Sequence, residues 1–148
     1  MAEAAVVALV RALEAQWNSG DMAGMAALWD ADHPDPVYQA EEEDALARGW
    51  PALQDYWRRT QALNARVAVR YAEIGVTPLA DDLALAHWRM HWDIALSGQA
   101  KPIGGDNRIF AVARRTAQGW RMVAYIEAPL APLTYIRRLY ESQASKDF

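Results

Sequence analysis

The sequence predicts an α+β domain in which helices cover one face of a curled antiparallel sheet. Three observations predict it. Apolar residues recur at helical spacing in the first third of the chain, alternating runs fill most of residues 66–128, and short polar turns separate those runs.

The elements follow in order. Val6, Val7, Leu9, Val10, Leu13 and Trp17 make one stripe of a helix over residues 3–18, and Asn18, Ser19, Gly20 and Asp21 supply a stop and a new N-cap at Asp21. Met22, Met25, Ala26, Leu28 and Trp29 form a second short helix. The Asp- and Pro-rich segment 30–36 is a loop, and Val37, Tyr38 and Gln39 a short strand. Residues 41–44 are acidic and read as a solvated loop. A third helix opens at Gly49, Trp50 and Pro51, with Leu53, Tyr56, Trp57 and Leu63 on its buried side. Strands are expected over 66–78, 83–96, 101–115 and 119–128, joined as an antiparallel meander. Gly104, Gly105 and Asp106 read as a bulge or turn. Pro129 and Pro132 are expected to end the last strand, and residues 133–140 to form a short terminal helix. No linker or repeat divides the 148 residues, so a single domain over 1–148 is expected.

Composition narrows the function classes. A net charge of −4 without a basic run argues against a nucleic-acid or anionic-membrane surface. No stretch approaches the ~18 continuous apolar residues of a membrane span, and the N-terminus lacks the pattern of a secretory signal. A cytoplasmic location is the expectation. The absence of cysteine removes thiolate chemistry and disulfides. Seven Trp and six Tyr supply aromatic area for a core, a pocket or a subunit contact.

The Trp17-Asn18-Ser19-Gly20-Asp21 segment, Gly49 opening the third helix, Ala80-Asp81-Asp82-Leu83-Ala84 before a strand, and Gly119-Trp120-Arg121-Met122-Val123 opening the last strand occur in an order that resembles the nuclear transport factor 2-like superfamily. That group includes ketosteroid isomerase, scytalone dehydratase and the SnoaL-like polyketide cyclases. The resemblance spans nearly the whole chain. It implies a cone-shaped curved sheet with three N-terminal helices on its concave face, a pocket at the open end and a convex face that often meets a second subunit. One fold hosts many chemistries, and the isomerase machinery does not carry over: its tyrosine, base and protonated acid fall at Leu13, Val37 and Phe110. The His-x-His pair of kinase-association relatives falls at Ala124 and Ile126.

Within Leu83–Leu96, His87, Arg89, His91 and Asp93 alternate with Trp88, Met90, Trp92 and Ile94, so the strand has one titratable and one aromatic face. The family register turns His87, Arg89, His91, Arg108, Phe110, Tyr125 and Glu127 inward. It turns Trp88, Met90, Trp92, Ile109, Ala111, Trp120, Met122 and Ile126 outward, where a homodimer through Trp88, Met90, Trp92 and Trp120 would cover them. The opposite assignment, with the tryptophans in the core, remains open at this point.

With the polar row inside, His87, His91, Glu127 and Tyr38 are the candidate proton-transfer residues. Arg89, Arg108, Phe110, Tyr125, Trp17 and Trp57 are the candidate ligand contacts. The basic pair favours a small acidic or carbonyl compound. A lyase or isomerase needing neither metal nor cofactor is one reading; a non-catalytic ligand-binding or dimeric assembly domain is the other. His87 and His91 stand ~13 Å apart on a strand, too far to share a metal, and Asp30, Asp32, His33 and Asp35 lack calcium-loop spacing.

Overall fold

Strand pairing in the computed structural model, which describes residues 2–130, 137 and 140–146, gives one six-stranded sheet in the order β2-β1-β6-β5-β4-β3. The elements are α1 (Ala2–Ser19), a 3-10 helix (Met22–Leu28), β1 (Val37–Gln39), β2 (Ala47–Arg48), α2 (Trp50–Leu63), β3 (Asn64–Ala80), β4 (Leu83–Leu96), β5 (Ile103–Thr116) and β6 (Gly119–Leu130). The sheet is curved and unclosed, and β3 to β6 form the expected meander. The second helix is 3-10 rather than α-helical, capped as expected when the Asp21 side chain accepts from the Ala23 N–H at 3.1 Å. Most of the terminal helix expected over residues 133–140 lies outside the described residues; Arg137 and residues 140–143 are helical.

β3 is an edge strand, and α1 covers its free edge with side chains. Asn18 accepts from the Val69 N–H at 2.7 Å and donates to the Val69 carbonyl at 3.0 Å. Glu14 accepts from the Tyr71 N–H at 2.7 Å, and Arg11 donates to the Tyr71 carbonyl at 3.0 Å. Backbone groups that could otherwise template a foreign strand are thereby satisfied. The apolar stripe of α1, Val6, Leu9, Val10, Leu13 and Trp17, packs onto the sheet.

Among the described residues the sheet has four register shifts, and two of them are bulges that bear on its faces. One lies between Ala72 and Gly75 in β3, where Glu73 takes a φ of 55°. The other lies in β6: Ala113 faces Met122 but Val112 faces Ala124, leaving Val123 as the extra residue. An extra residue reverses the alternation of side chains beyond it. Trp120 and Met122 therefore point into the core on one side of the bulge, and Tyr125 and Glu127 point to the same concave face on the other.

The expected face assignment is corrected. Trp88, Met90, Ile109, Ala111, Trp120 and Met122 are buried beneath the helices, while His87, Arg89, Arg108 and Phe110 are exposed. The energetics favour this arrangement. Burying one large aromatic is worth about 4 to 6 kcal/mol at ~25 cal/mol per Å², whereas a buried unpaired guanidinium costs several kcal/mol or more. Trp88, Met90 and Trp120 are covered within one chain, so they cannot form the homodimer contact expected of them.

Two smaller expectations also change. Gly104 and Gly105 lie inside β5, where Gly105 is paired with Trp92 and a Cβ there would stand 2.9 Å from the indole ring. Close approach of that ring, rather than a turn, is what the glycine permits. Pro129 does not end β6, which continues to Leu130. β1 pairs no further than Ile126, so the proline sits where β6 has a free edge.

Candidate active site

A cavity of ≈ 360 Å³ opens on the concave face. Its walls come from the end of α1, the end of α2, the β1–β2 loop and the ends of β3 to β6. Trp17, Val67, Met90, Trp92 and Ile94 make apolar walls, and Glu41, Glu42, Asn107 and Glu127 form the polar part. The acidic run expected to be a solvated loop thus contributes two carboxylates to the cavity.

Glu127 is placed there by the β6 bulge and held by two donors. The Tyr38 hydroxyl donates to Oε1 at 2.8 Å, and the Glu41 backbone N–H donates to Oε2 at 3.1 Å. Asn107 Nδ2 lies 3.5 Å from Oε2, at the outer limit of a hydrogen bond. Glu127 sits deep among protein atoms and also lines the cavity. Burial pushes its carboxyl up to about 7; the two hydrogen bonds pull it down, and the charges of Glu42 and Glu41 push it further up. Burial also holds Glu41 above its ordinary value, with the Asn107 side chain offsetting part of the effect.

Aromatic rings fix the support beneath this carboxyl. Tyr38 is stacked on Tyr125 with ring centroids 4.7 Å apart and packs against Tyr56 at 4.8 Å. The Tyr56 hydroxyl donates to Glu42 at 3.0 Å. Burial raises the phenols of Tyr38 and Tyr125 well above the ordinary tyrosine value, so both stay neutral donors.

Of the residues expected in the site, Tyr38 and Glu127 are brought together, and Trp17 lines the cavity. Tyr125 lies behind Tyr38. Trp57 lies outside the cavity, edge-on to Trp29 at 5.8 Å. His87, His91, Arg89, Arg108 and Phe110 lie on the convex side. The His87 ring covers Gly75 in the neighbouring strand, leaving no room for a Cβ there. His91 bridges Asp106 at 3.0 Å and Asp93 at 3.2 Å, and these partners raise its pKa. Arg89 has Glu73 at 3.9 Å, and Arg108 donates to the Pro129 carbonyl at 3.4 Å. The proposed recognition of an acid by two arginines therefore loses its basis.

Asn107, Glu41 and Glu42 were missed. Asn107 carried a legible signal: it alternates with Ile109, Ala111 and Ala113, a polar residue at a core position. The two glutamates lie in a loop, where no periodicity assigns a face. Asp30 belongs to the scaffold, accepting from the Asp32 N–H at 3.2 Å with Arg114 at 3.6 Å. Among the described residues, no group of three or more His, Cys, Asp or Glu side chains is placed to hold a metal ion, and no helix is long and apolar enough to cross a membrane.

Solved structures share this architecture at low identity. A nuclear transport factor 2-like superfamily protein from Salmonella enterica superimposes with a TM-score of 0.76 at 14% identity, covering 86% of this chain and 90% of that one. A proposed scytalone dehydratase from Novosphingobium aromaticivorans gives 0.76 at 9% identity, covering 86% and 83%. A hexachlorocyclohexane dehydrochlorinase, LinA type 2, gives 0.71 at 12% identity, covering 88% and 89%. No curated protein matches the chain in sequence. The sequence model of the SnoaL-like domain matches residues 6–131, spanning the helices, the sheet and every cavity residue named above, and the chain belongs to that family.

Proposed function

We infer that the cavity takes a small compound with an apolar body and that Glu127 moves a proton on it, in a lyase or isomerase reaction that invokes no cofactor. The observation that carries this reading is a carboxyl poised by Tyr38 on an otherwise largely apolar cavity. A base with a pKa of about 7 is half ionised at neutral pH and strong enough to take a proton from carbon beside a carbonyl. The C–H electron pair moves toward the carbonyl oxygen as Glu127 becomes the acid. The proton then returns to another carbon in an isomerisation, or a vicinal group departs in an elimination. The histidines have no part, because they lie on the other face of the sheet.

The test is deuterium exchange. Cyclic ketones incubated with the protein in heavy water are followed by proton NMR for loss of the signal beside the carbonyl. Exchange is expected, and Glu127→Gln is expected to slow it by about 10² or more. Equal exchange by the two proteins would exclude Glu127 as the base. Binding without exchange would leave the domain as a ligand-binding module.

We also propose self-association on the convex face. Phe110 and Ile126 are paired across β5 and β6 and are 45% and 44% exposed, with the His87 ring 6.3 Å from Phe110. This row replaces the tryptophans as the apolar surface a second copy would cover.

A further inference from the structure

The cavity has a surplus of hydrogen-bond acceptors. Asn107 is 1% exposed, and its Oδ1 has no hydrogen-bond partner. Glu41 Oε2 is also buried without a donor. Both residues line the same cavity as Glu42 and Glu127, and no Lys, Arg or His among the described residues lines it. A buried acceptor left unpaired is costly, and an unpaired carboxylate oxygen more so. Asn107 already directs its amide toward Glu127, so turning the amide over would exchange one unmet group for another.

We propose that the ligand of this cavity is an amine with an apolar body, its ammonium group seated between Asn107 Oδ1 and the Glu41 carboxylate, beside rather than on Glu127, and its body against Trp92 and Met90. This rests on the proton-transfer reading of the same site and narrows its substrate to an amine whose body also carries the carbonyl that receives the C–H electron pair. An ammonium group brings three N–H donors and a positive charge to the place where acceptors and carboxylates collect. Trp17 and Trp92 line the same cavity and supply apolar surface for the body of the ligand. A carboxylate ligand would face three glutamates with no countercharge, and an alcohol would bring a single donor.

Bound cation also links to protonation. The groups facing Glu127 are Tyr38 from β1, Glu41 and Glu42 from the loop, Tyr56 from α2, Tyr71 from β3, Asn107 from β5 and Tyr125 from β6. The tyrosines stay neutral, so Glu127 and Glu41 are the groups a cation would drive to ionise. Amine binding is expected to release protons at pH 6 to 7 and to tighten as pH rises toward 8.

The experiment compares three probes of similar shape, benzylamine, benzyl alcohol and benzoate, by calorimetry in two buffers of different ionisation enthalpy and by tryptophan fluorescence. Benzylamine is expected to bind roughly tenfold or more tighter than benzyl alcohol, with proton release, and benzoate weakest. Glu41→Gln and Asn107→Leu are each expected to weaken benzylamine by about tenfold and to leave benzyl alcohol nearly unchanged; Glu41→Gln keeps the test usable if Asn107→Leu does not fold. Equal or tighter binding of the alcohol or the acid, no binding of benzylamine, or no effect of Glu41→Gln would overturn the amine assignment. Ketone exchange by the wild type and its loss in Glu127→Gln are read separately, so the proton-transfer reading stands or falls on its own.

Discussion

Tyr38 and Glu127 meet where β1 runs parallel to β6: the tyrosine hydroxyl donates to the carboxylate at 2.8 Å and holds down a pKa that burial has raised. Tyr38→Phe removes that donor while keeping the ring stacked on Tyr125. The pKa of Glu127 is expected to rise above about 7, and the limb of the pH–rate profile for ketone exchange to move to higher pH. A profile unchanged in position would show that the hydroxyl does not tune the base.

Glu127 also makes stability depend on pH. Its folded pKa of about 7 lies above the ordinary 4.5, so its contribution is fully present below pH ~4.5 and is lost as pH rises through ~7. The full shift corresponds to about 3 kcal/mol. Glu127→Gln keeps an acceptor for Tyr38 and cannot ionise. Its melting temperature is expected to fall less than that of wild type between pH 5 and 8; parallel curves would contradict a raised pKa.

His91 acts in the scaffold. Asp106 and Asp93 raise its pKa above 6.5, so its contribution to stability is present below pH ~6.5 and lost as pH rises through the raised folded value. NMR titration of its ring is expected to give a midpoint above 6.5. His91→Ala and His87→Ala are expected to leave ketone exchange within about twofold of wild type, and a loss of 10² or more in either would return the histidines to the mechanism.

Gly105 lets the Trp92 ring, which lines the cavity, lie close against β5. Gly105→Ala is expected to push the indole toward the cavity, shift its fluorescence and weaken ligand binding, with stability lowered by about 1 to 3 kcal/mol from overpacking. Unaltered fluorescence and affinity would mean that the ring does not bound the ligand.

Phe110→Asp places a charge in the exposed row on β5. If a second copy covers that row, sedimentation is expected to show a dimer for wild type and a monomer for the variant. The variant is expected to keep its melting behaviour at low concentration, because Phe110 belongs to no core contact. A monomeric wild type would remove the proposal.

Much of the fold was legible because periodicity reports element type directly. β4 was placed to the residue, β1 was found from three residues, and the stripe of α1 matches the helical face that packs. The sheet face was not legible, since alternation distinguishes two sides without saying which one the helices cover. Tyr125 and Glu127 were placed inward, but grouping them with Arg108 and Phe110 conflicts with the register, in which Phe110 lies beside Ile126 and Arg108 beside Ala128. Strict alternation would also set Trp120 and Met122 on the side opposite Glu127, and a bulge in an apolar run leaves no mark in composition.

Val123 therefore divides β6 into two functional halves of one strand. The half before it is wedded to the helices through Trp120 and Met122; the half after it sets Tyr125 and Glu127 on the cavity side. Pairing the same residues as a regular ladder, without the bulge, would leave the packed half in place and swing Tyr125 and Glu127 through the sheet to the convex side, exchanging them for Ala124 and Ile126, whereas removing Val123 outright would keep both on the concave face. Which side chains share the cavity face is thus selected by how the ladder accommodates one residue that pairs with nothing.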